Sequence, residues 1–405
     1  MLIWYCVSHS IPDSVLLSKI SKTPYITHMN IVIIYGGKSV EHDVSILTAL
    51  HATKHIMDDA KVHLVYLTRD NKFLVGRGLS NIDFYSRYYD THTTTKNVQE
   101  AFFRNKSVYK RGGIRGESHI SKIDCVLNCC HGGVGENGDL AAFFRILGIP
   151  ITSSPPFSAQ KMMSKSHTRQ LFTTHKFPQP KFVILTKNST DIDLPLPLII
   201  KPDTLGSSIG INIAQTPEEL KSALDLASAL DNTIIVEQFL ENATEINCSA
   251  FFHNNKIHVS PCELIDKKNP LLDFENKYLD GGNFIPKKSN TKSALQEEPA
   301  DPKLEKLFNK IQKITEQAYR IFGASGVVRF DFLITDVNDF KKTKIYLNEA
   351  NSVPGFLSYH LWHRDGIPYG LLIDMLVKQA IADNKKELVT TFQSDILAKN
   401  RGLID

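Results

Sequence analysis

No run of apolar residues in the 405-residue chain approaches the ~20 that a membrane-spanning helix needs, so no segment reads as a bilayer span. Nor is there an excess of one charge sign: 47 Lys and Arg stand against 43 Asp and Glu, a net charge of +4, and the basic residues are spread along the chain. Such a surface offers little to a nucleic-acid backbone. Cysteine is scarce, and the six present, Cys6, Cys125, Cys129, Cys130, Cys248 and Cys262, show no paired zinc-site spacing. Cys129, Cys130 and His131 are consecutive, and side chains that alternate in direction along a strand do not converge on one ion. Reduced, mostly buried thiols of a cytoplasmic protein are therefore expected. Internal repeats are absent, and residues 1–28 lack both the basic region and the long apolar stretch of a secretory signal. Met29 stands directly before the strand-like "NIVIIYGG", so 1–28 read either as a tail or as a mis-assigned start.

What is present is the composition of a globular protein, 42% hydrophobic and 22% charged, at a length that allows two or three domains. In residues 29–160, "IVIIYGG", "VHLVYLT" and "IDCVLNCCHGG" read as strands and "SILTALHATKHIM" as a helix. That order predicts a parallel sheet with crossover helices. Within it, about 79–120 has weak periodicity and reads as loop-rich, while "DLAAFFRILGIP" reads as a helix stopped at Gly148 and Pro150. Residues 161–240 form a smaller mixed unit. It holds the strand "PLIIKP", a glycine-serine loop, a helix with Thr216 as N-cap and Pro217 at its first position, and the strand "NTIIVEQFL". Residues 241–405 open with a hairpin about the turn "HNNK", followed by a polar span from Lys287 to Pro299 that reads as a loop or lid. Leu304, Leu307, Phe308, Ile311, Ile314, Ala318 and Ile321 then keep the three-four spacing of an amphipathic helix closed by Gly323. Two strand-like runs in "GVVRFDFLITDVNDFKKTKIYLNEAN" follow, joined by a polar turn.

On the two-residue period, Arg329, Asp331 and Leu333 share one face of the first of these strands, and Leu347, Glu349 and Asn351 one face of the second. A turn near Asp339 to Lys342 brings Asp331 towards Glu349 and Asn351. Two carboxylates and an amide carbonyl at hydrogen-bond range repel one another unless a cation lies between them, and hard oxygen donors suit magnesium. A pair of solvated strand-end carboxylates fits the same spacing. "LIIKPDTLGSSIG" puts Lys201 at a strand end before a loop whose backbone amides can approach a phosphate. It lacks the P-loop spacing, and an ordinary turn also fits. In "YGGKSVEHDVS", Glu41 lies near a helix start, where a glutamate also simply favours the helix dipole. "HGGVGENGD" sets His131 among glycines after a buried strand, in the region where open sheets bind ligands.

Taken together, "GGKSVEHDVS", "HGGVGENG", "KPDTLGSSIG", "VRFDF" and "NEANSVPG" resemble, in order and distance, the motifs of one family. That family is the D-alanine:D-alanine ligases of the ATP-grasp superfamily, and the resemblance covers most of residues 30–365. It implies an α/β ATP-grasp fold: an N-terminal parallel-sheet domain that binds substrate (29–160), a central ATP-grasp subdomain (161–240) and a C-terminal catalytic one (241–405). It also implies a cytoplasmic homodimeric enzyme of cell-wall precursor synthesis, without nucleic-acid or membrane partners. Such an enzyme phosphorylates the carboxylate of one D-alanine with ATP and lets the amine of a second attack the acyl phosphate. The cofactors implied are ATP and magnesium, two ions, with manganese as the alternative metal.

Carried over residue by residue, Asp331, Glu349 and Asn351 match the metal ligands, and Lys165, Lys201 and Lys277 match lysines on the ATP phosphates. Lys165 stands after a serine in "MMSKSHTR", where the family usually has an aspartate. Glu237 and Glu245 match the acidic residues that hold adenine and ribose. Glu41 resembles the anchor for the ammonium group of the first D-alanine, with Ser207 and Tyr278 as its partners and His131 beside that substrate. Relatives that prefer D-lactate lack the tyrosine, so Tyr278 favours an amine acceptor. Arg329 matches the arginine that stabilises the oxyanion, with the backbone N–H of Gly355 as its partner. One departure concerns the second substrate: His360 stands where the family usually grips its carboxylate with a serine, and Ser358 is the alternative. A dipeptide ligase with a different acceptor, or a nucleotide-binding relative without turnover, are the rival readings.

Overall fold

The computed structural model describes residues 28–56, 59–92, 96–112, 116–186, 191–265, 302–336 and 342–386. The first sheet comprises β1 (Asn30–Gly36), β2 (Lys61–Leu67), β3 (Phe73–Gly76), β4 (Val98–Arg104), β5 (Ser107–Arg111), β6 (Glu117–Lys122) and β7 (Cys125–Asn128), in the spatial order 6-5-4-3-2-1-7. β1 is buried from Ile31 to Gly36, as a continuous apolar run in a sheet covered on both faces should be. Helix α1 (His42–Thr53) crosses from β1 to its parallel neighbour β2, and β7 pairs parallel on the other side. The expectation of a parallel sheet holds only for these three strands. β3 to β6 continue it as an antiparallel meander, and β4, β5, β6 and helix α2 (Asp83–Thr91) lie in the stretch expected to be loop-rich. Their sequences "VQEAFFR", "SVYKR" and "ESHISK" keep charged residues on exposed positions towards the sheet edge, which blurs the apolar signal. Short helices α3 (Gly133–Glu136) and α4 (Asp139–Ile146) follow β7.

Helices α5 (Pro156–Met163) and α6 (Lys165–Thr174) lead into a four-stranded antiparallel sheet of β8 (Phe182–Thr186), β9 (Leu198–Pro202), β10 (Asn212–Ala214) and β11 (Thr233–Gln238). Its helix α7 (Pro217–Leu230) begins as expected: the Glu219 N–H donates to Thr216 Oγ1 at 3.2 Å, and Pro217 takes the first position.

The third sheet holds β12 (Thr244–His253), β13 (Lys256–Val259), β14 (Glu263–Ile265), β15 (Val328–Thr335) and β16 (Lys344–Asn351). The expected hairpin turns at Asn254 and Asn255, both left-handed (φ 50° and 62°), as a two-residue turn between twisted strands requires. Helix α8 (Pro302–Phe322) buries Leu304, Leu307, Phe308, Ile311, Ile314 and Ala318 in one core with β12, β15 and β16.

After β16 the chain returns to the first sheet. Trp362 of α9 (Tyr359–Arg364) and Leu372, Leu376 and Val377 of α10 (Tyr369–Lys386) share a core with Ile31, Ile33 and Leu127. This return lays residues 352–356 against helix α1 and the segment that follows β7. Cys125, Cys129, Cys130, Cys248 and Cys262 are buried free thiols; Cys6 and the span from Lys287 to Pro299 lie outside the described residues. Among the described residues no helix is long and apolar enough to cross a membrane.

Candidate active site

A β-bulge organises the site. Asp331 pairs with Glu349, but Phe332 pairs with Leu347, so Asn348 is the extra residue on β16. The expectation that Leu347 shares a face with Glu349 and Asn351 is thereby corrected: Leu347 is fully buried in the core, while Glu349 and Asn351 face the site with Asp331 and Arg329. A strict two-residue period cannot register an inserted residue.

On one side of the bulge lies a cationic cluster. Lys201 on β9 donates to Glu237 Oε2 of β11 at 2.6 Å, and Arg169 Nε of α6 donates to Glu237 Oε1. Burial alone would raise the Glu237 carboxyl, yet Arg169 and Lys201 hold it down at about 2. Asn348 Oδ1 accepts from Arg169 Nη2 at 3.1 Å and from Lys201 Nζ at 3.4 Å. Lys165 opens α6; its Nζ donates to the Leu205 carbonyl at 2.5 Å, and burial lowers its pKa. Asp203 holds that helix start by accepting from Ser164 Oγ (2.7 Å) and the Ser166 N–H (2.6 Å). Arg169, Asp203 and Asn348 were not anticipated. Arg169 had a signal, since it stands four residues after Lys165 on the same helix face.

On the other side lies a carboxylate-rich face. Arg329 Nε and Nη2 donate to Asp331 Oδ1 and Oδ2 at 2.7 and 2.9 Å, and Asn351 Nδ2 donates to Asp331 Oδ2 at 3.0 Å. Even so, burial, with Glu349 and Glu245 adding repulsion, raises the Asp331 carboxyl to about 7. Among the described residues no group of three or more His, Cys, Asp or Glu is arranged for a metal, so the donor set here is two carboxylates and an amide. That set fits a hard divalent cation whose remaining oxygens come from phosphate and water. Glu245 on β12 pairs in register with Leu333, one step along the same sheet.

The third part joins the first sheet to the rest. Glu41 stands at the N-cap position of α1 with no side-chain cap bond, and Ser207 Oγ donates to its Oε1 at 2.5 Å from 166 residues away. Gly132 is left-handed (φ +64°) and passes so close that a Cβ there would lie 2.4 Å from Ser39 Oγ and 3.1 Å from Glu41 Oε2. Ser207 itself is left-handed (φ 53°) within the glycine-serine loop. Glu136 of "HGGVGENGD" is buried in the next turn, and burial together with Glu41 pushes its carboxyl well up.

His131 is 2% exposed, with Nδ1 2.7 Å from the Val353 carbonyl and Nε2 2.8 Å from Thr48 Oγ1. A carbonyl only accepts, so Nδ1 carries the proton; burial lowers the pKa, the ring is neutral, and Nε2 accepts from Thr48. Both ring nitrogens are thus engaged by protein, so the His131 expected beside the first substrate is held in place by Val353 and Thr48. Gly355 opens a short turn in which Phe356, Leu357 and Ser358 are all left-handed (φ 49°, 54° and 52°), each at a cost of about 1–2 kcal/mol for an L-residue. Ser358 is wholly buried. His360 Nε2 meets Glu263 Oε2 at 2.8 Å, and Arg364 donates to Glu263 Oε1 at 3.2 Å, so the position expected to grip the second substrate's carboxylate already faces an internal one. Lys277 and Tyr278 lie outside the described residues.

Comparison with known proteins identifies the family. A family model described as D-ala D-ala ligase N-terminus matches residues 30–154, and one described as D-ala D-ala ligase C-terminus matches residues 170–379. The chain is 30% identical over 382 residues to a D-alanine--D-alanine ligase of Thermosipho melanesiensis, covering 91% of this chain and 98% of the relative. It is 29% identical over 368 residues to that of Staphylococcus carnosus, covering 87% and 95%. Among solved structures, the D-alanine-D-alanine ligase from Coxiella burnetii superposes with a TM-score of 0.71 at 19% identity, over 93% of this chain and 99% of that one. The Bacillus anthracis D-alanine--D-alanine ligase complexed with ATP superposes with a TM-score of 0.59 at 22% identity, over 89% and 100%. With both family models matched in order across the first sheet and the two that follow, the chain belongs to the D-alanine–D-alanine ligase family.

Proposed function

We propose that the protein joins two D-alanines at the expense of ATP, through a D-alanyl phosphate, to supply a peptidoglycan precursor. The observation that carries this reading is the division along β16. The bulge sets Asn348 beside Lys201 and Arg169, and Glu349 and Asn351 beside Asp331, so cations for phosphate and carboxylates for a metal flank one strand. A carboxylate is a poor electrophile until one of its oxygens becomes part of a leaving group. Its oxygen takes the γ-phosphoryl group of ATP and ADP departs; the amine of the second D-alanine then attacks the acyl carbon and phosphate leaves. Lys165 and Lys201 are read as phosphate contacts, Glu237 and Glu245 as the nucleotide's polar contacts, and Glu41, held by Ser207, as the ammonium anchor. Lys277 and Tyr278, by family resemblance, complete the phosphate and anchor contacts.

Asp331, Glu349 and Asn351 would hold magnesium, two ions, or manganese in its place, and the metal would spread the negative charge of the transferring phosphoryl group. Arg329, anchored on Asp331, and the Gly355 N–H are read as the donors to the oxyanion. We read the enzyme as cytoplasmic, where ATP is available, and as a homodimer. Apolar Ile146 and Phe157, 85% and 72% exposed on the adjacent helices α4 and α5, are surface that a second copy would cover. Incubation with ATP, magnesium and a panel of D- and L-amino acids tests the activity: D-alanyl-D-alanine is the expected product, and another dipeptide formed readily in its absence overturns the acceptor. The Glu263 carboxylate on His360 is the observation that favours this second reading, a ligase with a different acceptor.

A further inference from the structure

The turn that carries Gly355 is fastened to the first sheet at points that the reaction scheme above leaves without a role. The Val353 carbonyl accepts from His131 Nδ1 at 2.7 Å, the Phe356 N–H donates to Thr48 Oγ1 at 3.2 Å, and Thr48 donates to His131 Nε2 at 2.8 Å. Ser352 Oγ adds a third tie, to the Glu136 carbonyl at 3.1 Å. Thr48 is wholly buried and His131 is 2% exposed, so water does not replace these bonds.

The peptide planes they hold are the ones on either side of the Pro354–Gly355 peptide. Between them, Pro354 has its φ locked by its ring at −68°, with ψ at 152°. With both neighbouring planes pinned, the Gly355 N–H can turn only by a coupled rotation of Pro354 ψ and Gly355 φ, so the pins narrow the directions it can take. Three successive left-handed non-glycine residues follow, and strained backbone of this kind persists where its surroundings over-determine it. Thr48 also lies two turns along the helix that starts after Glu41, so one rigid element carries both the ammonium anchor and the pin on the oxyanion loop.

We propose that Thr48, through its hydroxyl and with His131, is a positioning residue that aims the Gly355 N–H at the oxyanion. The inference rests on the proposed ligase reading. When the amine attacks the acyl phosphate, the carbonyl π pair moves onto oxygen, and a donor aimed at that oxygen lowers the barrier to condensation. The first phosphoryl transfer develops no such charge there. Thr48→Val keeps the shape but removes the hydroxyl that the Phe356 N–H and His131 Nε2 share.

The test measures phosphate release and dipeptide formation in the same reaction, normalised to the folded fraction from circular dichroism. In Thr48→Val the dipeptide rate is expected to fall about tenfold to a hundredfold, with the KM for ATP little changed. Phosphate released per dipeptide rises above the wild-type value, because the stranded acyl phosphate is hydrolysed to D-alanine and phosphate. Thr48→Ser, which keeps the hydroxyl, restores the wild-type ratio. Thr48→Ala carries the same expectation as Thr48→Val should the valine variant not fold. A ratio in Thr48→Val or Thr48→Ala equal to wild type, or a Thr48→Ser variant as impaired as Thr48→Val, overturns the proposal. Wild-type protein that forms no dipeptide is instead a failure of the ligase reading, which separates the two.

Discussion

The two sides of β16 use the same kinds of residue to opposite electrostatic ends. Around Glu237 a single carboxylate faces two cations, and its pKa falls to about 2. Around Asp331, burial and the neighbouring Glu349 and Glu245 outweigh Arg329, and its pKa rises to about 7. The first cluster is saturated and in surplus of positive charge; the second lacks it. A site that must hold a polyphosphate and a metal together gains from such a division, because each cluster supplies what the other's ligand needs.

The comparison breaks most visibly at Glu349. Glu349→Gln removes one of the two carboxylates and is expected to abolish turnover, a loss of about a thousandfold or more, with a raised magnesium requirement in a metal titration. Near-normal activity would count against the metal assignment.

On the opposite side, Arg169→Met leaves Glu237 with one partner in a buried place. Stability to urea should drop by about 3–5 kcal/mol, the range for breaking a buried ion pair. A change below about 1 kcal/mol would show that the cluster is solvated.

The pH dependences should have opposite signs. For Glu237 the folded value of about 2 lies below the unfolded 4.5, so its contribution is present above pH 4.5 and is lost as pH falls towards 2. That gap corresponds to roughly 3 kcal/mol, and Glu237→Gln should flatten this part of the acid unfolding curve. For Asp331 the folded value of about 7 lies above the unfolded 3.8, so its contribution is present below pH 3.8 and is lost as pH rises through 7. Magnesium competes with that proton, so its affinity by calorimetry should weaken as pH falls below about 7. Affinity independent of pH between 6 and 8 would contradict it.

The smallest effect is expected at the bulge itself. Asn348→Ala withdraws an oxygen from Arg169 and Lys201 and should cost about 1–2 kcal/mol of stability. An unchanged urea midpoint would remove Asn348 from the cluster.

Much of this was legible in the chain. The apolar spacing from Leu304 to Ala318, the Thr216 cap and the "HNNK" turn each depend on neighbours within a few residues, and each appears where its local chemistry requires. The run from Glu117 to Lys122 misled, because an edge strand with one wet face carries too few apolar residues to announce itself. Leu347 misled for another reason: a bulge shifts the pairing by one residue and so changes which side chains share a face.

The sequence by itself determined the kinds of group available and the short-range elements that carry them: Lys201 at a strand end, Glu41 at a helix cap, Asp331 and Glu349 on paired strands. Only the tertiary structure decided which groups meet. Ser207 reaches Glu41 across 166 residues, Thr48 reaches Phe356 across 308, and Glu263 reaches His360 across 97. The last of these puts a carboxylate against the histidine expected to bind one, and no local pattern could show it. Hydrogen bonds and ion pairs act over a few ångströms, whereas spacing along a chain says nothing of distance once strands from three sheets converge.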